Sequence, residues 1–243
     1  MRMNDLAQYL RQISGKVSSN IYAGIQGQVI PQQLSFIRQL QKEMKVKNNL
    51  ATPLNELEVV VFDLETTGFY PEKGDRVLSI GAVKMVGPHI LEHDTFYSLV
   101  KSELPLSQEI SSLTNIDESQ LRDAPPASDV LIQFFKYAQS HILVAHHSKH
   151  EKSFMQKMTW DLLKTRFEHR IIDTSFLIRL SDSTMKSLPL EEVCSECGIV
   201  VKDRHHALGD ALMTAQIWGC YLQTAQKNGY SNLQEVYEHL AKL

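Results

Sequence analysis

Residues 57–65, LEVVVFDLE, constrain the fold more than any other segment. The β-branched and aromatic residues favour a strand, and there are too few polar positions for a strand with one wet face. Such a strand must be covered on both sides, which calls for a sheet flanked by helices. Two acids, Asp63 and Glu65, break the apolar run near its C-terminal end. One residue separates them, so they point to the same face of the strand. Like charges held together inside protein repel, so the pair needs a cation or a proton. Taken alone, D-x-E also describes a polar strand end that happens to carry two acids.

The segments that follow fit this frame. After the turn residues Gly68, Pro71 and Gly74, residues 76–86 (RVLSIGAVKMV) form a second apolar run ending at Gly87-Pro88. Residues 89–100 (HILEHDTFYSLV) alternate as a third strand, and the spacings predict an antiparallel meander. The sequence DAPP at 123–126 starts a helix through Val130, Leu131, Phe134, Phe135 and Ala138. HILVAH at 141–146 and RIIDT at 170–174 are short buried strands, with a helix between them around Phe154, Met155 and Leu162. Further helices are predicted over 188–197, 208–222 and 233–240. Hairpin strands followed by alternating helices and strands imply an α/β fold with a mixed sheet.

The first 56 residues differ in texture. Leu6, Tyr9, Leu10 and Ile13 have helical spacing, as do Leu34, Ile37 and Leu40 after Pro31. Residues 45–53 (KVKNNLATP) read as a linker. The expected organisation is a loosely tied helical extension over 1–56, a main domain over 57–225, and a C-terminal helix over 226–243 packed on or near it.

Composition narrows the function. With 25 Lys+Arg against 28 Asp+Glu, the net charge of −3 excludes a domain that coats nucleic acid by bulk charge. A local grip on a nucleic-acid end through a metal site is compatible with it. No apolar run approaches the ~20 residues of a membrane span. The N-terminal residues show no secretion signal, and three cysteines cannot all pair within one chain, so a reduced, cytoplasmic compartment is expected.

Several further features carry polar chemistry. In HHALGDA at 205–211, a helix begins near Leu208, which puts Asp210 in its first turn and His205 on the preceding loop. The helix dipole alone is reason enough for an acid there. AHHSKHE at 145–151 leaves a buried strand; its histidines suggest zinc, but no second half with ligand spacing follows. Cys194 and Cys197 form a lone CxxC, which reads as packing, and Cys220 falls on an apolar helix face. QLSFI at 33–37 is similar to the short peptide with which bacterial replication proteins dock on the sliding clamp. It is equally one face of an amphipathic helix.

In their order and spacing, FDLETTG at 62–68 and H-x-A-L-x-D-A at 205–211 resemble the motifs of the DnaQ-like 3′-5′ exonucleases, which use four acidic residues and a histidine. The epsilon proofreading subunits of bacterial DNA polymerase III belong to this family. The resemblance covers about residues 57–222 and leaves the N-terminal segment unexplained. The middle motif departs from the family pattern A-H-N-x-x-F-D: His147 stands for Asn, His150 for Phe, and Glu151 for Asp.

The resemblance implies a ribonuclease H-like fold and a pair of Mg²⁺ or Mn²⁺ ions. Asp63, Glu65 and Asp210 would be metal ligands, with Glu151 supporting the cluster and His205 taking a proton from the attacking water. Adjacent His206 would point elsewhere. Thr66, Thr67 and Gly68 would hold the 3′ end, with Phe69 and Phe154 against the terminal bases. The implied activity is release of nucleoside 5′-monophosphates from 3′ ends of single-stranded or frayed DNA, in proofreading or repair. The implied partners are single-stranded DNA or RNA ends, and a sliding clamp or polymerase reached through the extension. The competing readings are an RNA-trimming exoribonuclease of the same family and a catalytically weakened nucleic-acid-binding adaptor.

Overall fold

The computed structural model describes residues 30–46, 49–181 and 188–242. The helical pattern at Leu6, Tyr9, Leu10 and Ile13 lies outside them. Helix α1 (Pro31–Val46) precedes three strands, β1 (Glu58–Thr66), β2 (Val77–Val86) and β3 (His89–Leu99). Helices α2 (Gln108–Thr114), α3 (Glu118–Asp123) and α4 (Ala127–Ala138) follow, then β4 (Ile142–Ala145) and α5 (Lys149–Leu163). The chain continues through β5 (Ile171–Asp173), α6 (Ser175–Ile178), α7 (Leu190–Glu196), α8 (Ala207–Lys227) and α9 (Leu233–Leu240). No helix among the described residues is long and apolar enough to cross a membrane.

The five strands form one sheet in the order β3-β2-β1-β4-β5. β1 pairs antiparallel with β2 and parallel with β4, while β2–β3 is antiparallel and β4–β5 parallel. The mixed sheet expected from the sequence is the one observed. β1 supplies side chains to both faces, as its apolar run demands. Val60, Phe62 and Leu64 join one core cluster with residues of α4 and α5, and Val59 and Val61 join another with residues of α7, α8 and α9. By the same period of two, Asp63 and Glu65 fall on the α8 side. The chain runs from β1 toward β3 on one side and resumes at β4 on the other. A crevice therefore opens at the C-terminal ends of β1 and β4, where ligands of open α/β sheets bind.

Gly81 on β2 sits beside Asp63 in the β1–β2 ladder. A Cβ there would lie 2.2 Å from the Ala207 carbonyl carbon and from the Leu208 nitrogen. The missing side chain lets the start of α8 rest on the strand, which brings the first turn of α8 to the two acids of β1.

The four-residue α6 was not expected, and neither were helices α2 and α3. The latter two are short and set by caps: Ser107 accepts from the Ile110 N–H, and Asp117 with Gln120 forms a capping box. The extension also differs from the loose segment expected. Ile37 and Leu40 are buried in the same cluster as Phe135, and Gln41 Nε2 donates to Thr165 Oγ1 (3.1 Å) and the Arg166 carbonyl (2.9 Å). The end of the expected linker is anchored as well. Leu54 is buried, its N–H donates to the Ser231 carbonyl at 2.8 Å, and Pro53 bridges Asn232. At the C-terminal end, Leu233 and Val236 of α9 are fully buried.

Candidate active site

Asp63 and Glu65 enter the crevice from β1, and Asp210 meets them from the first turn of α8. One carboxylate oxygen from each of the three lies within 4.8 Å of the others. Glu151, in the first turn of α5, reaches the group from the other side of the sheet. It is only 3 % exposed and is the largest single charge acting to raise the pKa of Asp63.

The protonation states follow from crowding and burial. Burial first, then the charges of Glu151, Asp210 and Glu65, hold the Asp63 carboxyl well above the carboxylate range. Burial and Asp210 push Glu65 up to about 7. Burial, with Asp173 and Glu65, pushes Glu151 up to about 8, and burial pushes Asp210 up to about 6. Two buried carboxylate oxygens, Asp210 Oδ1 and Glu151 Oε2, have no hydrogen-bond partner. Buried polar atoms are nearly always paired. An all-oxygen donor set with orphaned oxygens and mutual repulsion has the character of a hard divalent cation site.

Arg204 is the cation the sequence reading missed. Its Nη1 donates to Asp210 Oδ2, and its Nε donates to Glu191 Oε1 at 2.6 Å. Its charge acts to lower the pKa of Asp63, Glu65 and Asp210 alike. Glu191 comes from the first turn of α7, so the arginine spans the crevice between α7 and α8.

His205 lines the crevice beside Arg204, on backbone with φ of 60°. Burial and the Arg204 charge lower its pKa, which keeps the imidazole neutral. His206 turns away, as expected: it caps α8 by accepting from the Gly209 N–H (3.3 Å) and stacks on Tyr97 with ring centroids 4.5 Å apart.

The loop after β1 divides the remaining predicted residues. Thr66, Gly68 and Phe69 line the crevice, with Phe69 77 % exposed at its mouth. Thr66 Oγ1 donates to the Gly68 carbonyl at 2.7 Å. Thr67 instead holds the turn: its hydroxyl donates to Asp75 (3.4 Å) and accepts from the Arg76 N–H (3.0 Å). Phe154 is 1 % exposed and belongs to the core. One helical turn past His150, it packs behind that ring (4.8 Å) and does not face a substrate. His150 takes the surface position instead, edge-on to Phe69 at 5.7 Å and 3.3 Å from Thr66 Oγ1.

His146 has structural partners. His146 Nδ1 lies 2.7 Å from Thr174 Oγ1 and its Nε2 2.8 Å from the Leu188 carbonyl. Asp173 accepts from the Ser148 N–H (2.6 Å) and the Ser175 N–H (3.0 Å), which fixes the entry to α5 and thereby Glu151. Among the described residues, the carboxylate trio is the group whose donor atoms converge closely enough to hold a metal. Cys194 of α7 is buried in the core. Phe36 of QLSFI packs against the core, and a clamp-docking peptide at this position would have to release it.

A five-stranded mixed sheet flanked by helices, with three carboxylates converging in the crevice at the ends of β1 and β4, defines a protein of the ribonuclease H-like fold class. The chain belongs to the exonuclease family RNase_T, whose model matches residues 60–218. The PolC-type DNA polymerase III of Caldanaerobacter subterraneus subsp. tengcongensis is 35 % identical over 181 residues, which is 74 % of this chain and 13 % of that protein. A DNA polymerase III subunit epsilon-like protein of Rhodobacter capsulatus is 29 % identical over 193 residues, covering 79 % of this chain and 27 % of the relative. The chain thus spans a small part of the curated relatives it matches. Among solved structures, a 3′-exonuclease that recognises the 3′ end of a histone mRNA stem-loop superposes with a TM-score of 0.62 at 20 % identity, over 79 % of this chain and 72 % of that one. Escherichia coli Exonuclease I with a dT13 oligonucleotide superposes with a TM-score of 0.58 at 12 % identity, over 71 % of this chain and 42 % of that one.

Proposed function

We propose that the chain is a metal-dependent 3′-5′ exonuclease that removes nucleoside 5′-monophosphates from the 3′ ends of single-stranded or frayed DNA, in proofreading or repair. The observation that carries this reading is the carboxylate trio, with an orphaned oxygen on Asp210 and another on neighbouring Glu151. Such a cluster destabilises the fold unless cations occupy it, which argues against an idle adaptor.

Asp63, Glu65 and Asp210 would hold the divalent ions, Mg²⁺ or Mn²⁺ and two in number. Bound there, the ions supply charge neutralisation and Lewis-acid activation at a phosphodiester. The residues do the rest. Glu151 adds a carboxylate that orients water beside Asp63. His205, neutral and open to the crevice, accepts the proton of the attacking water. The Thr66–Gly68 backbone seats the terminal nucleotide, and Phe69 with His150 offers a stacking surface for its base.

A 5′-labelled single-stranded DNA oligonucleotide and its RNA counterpart, incubated with Mg²⁺, Mn²⁺ or EDTA, test the reading. The expected result is a metal-dependent 3′ ladder, stronger on DNA and absent from Asp63→Ala. A stronger RNA ladder would make the enzyme an exoribonuclease. No ladder from folded protein would favour a binding module.

A further inference from the structure

Arg204 occupies the place where a cation is needed, and it does so with two grips. One is Asp210 Oδ2, an oxygen of the metal-binding trio. The other is Glu191, whose side chain is 45 % exposed and whose carboxylate stands outside the trio. The side chain of Asp210 is 6 % exposed, and its second oxygen is an orphan. The guanidinium therefore serves Asp210 with one edge and is moored to the crevice rim by another.

Resting on the metal-dependent reading above, we infer that Arg204 is a displaceable counterion: it covers Asp210 until a divalent ion arrives, is then released to Glu191, and there meets the phosphodiester of the substrate. Charge balance supports the exchange. Two divalent ions offset the four carboxylates of Asp63, Glu65, Glu151 and Asp210. The guanidinium is then no longer needed at Asp210: its Nε edge stays paired with Glu191, and the Nη1 freed from Asp210 is open to a phosphodiester oxygen. Geometry supports it as well. Arg204 and His205 are neighbours in the chain and line the same crevice, so a released guanidinium stays where the reacting phosphate must lie. Arginine suits the second half of the exchange, because its planar fork grips phosphate oxygens in pairs.

Isothermal titration of the metal-free protein with Mn²⁺ tests the first half, through two variants of opposite sign. Arg204→Gln removes the competitor, and its Mn²⁺ Kd should fall about tenfold. Glu191→Gln removes the receiving carboxylate, confines the arginine to Asp210, and should raise the Mn²⁺ Kd several-fold. Mere loss of folding would weaken both variants alike. The second half is read from KM for a single-stranded oligonucleotide at saturating Mn²⁺, which should rise about tenfold in Arg204→Gln. An unchanged or higher Mn²⁺ Kd in Arg204→Gln would overturn the competition, and an unchanged KM would overturn the phosphate contact. Wild-type protein that binds no Mn²⁺ would overturn the metal site itself, and the inference with it. Wild-type binding that Asp210→Asn abolishes keeps the site and leaves the Arg204 outcomes decisive.

Discussion

Asp63 lies where the charges of Glu65, Glu151 and Asp210 converge, with the Arg204 charge opposing them. Removing its charge should help the metal-free fold while ending catalysis. Asp63→Asn is expected to melt a few degrees higher than wild type in EDTA, a shift worth ~1 kcal/mol, and to give no cleavage ladder. The same crowding sets a pH dependence. Glu65, Glu151 and Asp210 keep protons up to about 7, 8 and 6. In the unfolded chain these groups release them near the ordinary carboxylate values of ~4. Between those limits the folded chain binds more protons than the unfolded one, so stability falls as pH rises. In EDTA the melting temperature should therefore drop from about pH 5 to about pH 8, and saturating Mn²⁺ should raise it more at pH 8 than at pH 6. A flat profile would mean that the cluster does not hold its protons. Glu151 is fixed from the first turn of α5, so Glu151→Asp would draw its carboxylate back by ~1.5 Å. The expected cost is ten- to a hundredfold in kcat, measured against an unchanged melting curve. The four residues named from contiguous motifs, Asp63, Glu65, His205 and Asp210, were legible because each motif is local. Arg204 was not, although it adjoins His205. Its meaning depends on Glu191, thirteen residues away on helix α7, and no spacing rule connects the two.

At the scale of elements, the contact between β2 and α8 decides how accurately the site is built. Gly81→Ala places a methyl group within 2.2 Å of backbone, and backbone cannot step aside as a flexible side chain can. The start of α8 must lift, and Asp210 with it. The expected loss is ~2–3 kcal/mol of stability, accompanied by weaker Mn²⁺ binding in titration. A variant that loses stability but binds Mn²⁺ normally would show that α8 can shift without moving Asp210. The strands and the long helices were readable from periodicity, since each buries a continuous face. Helices α2 and α3 were not, because seven and six residues are too few to establish a period. Their signals were the caps at Ser107 and at Asp117 with Gln120. Thr67 and Phe154 were misplaced for a related reason. The sequence puts them beside the crevice, but the turn at Asp75 and the helical step from His150 point them away.

For the whole molecule, the extension matters more than its composition suggests. An apolar stripe at Ile37 and Leu40 looks the same whether a helix docks on its own chain or awaits a partner, so only packing reveals the answer. Leu40→Ala should cost about 2–4 kcal/mol, since it empties a buried position over Phe135. Thermal melting measures this directly, and a loss below ~0.5 kcal/mol would mean that α1 leaves the body in solution. The pairing of Pro53 with Asn232, and of Leu54 with Ser231, has a consequence for architecture. It draws two distant parts of the chain together at one seam. A body entered and left at the same place can be spliced into a longer polypeptide through two adjacent joints, with no pull transmitted to its sheet. The same folded unit can then be carried within polypeptides of different length.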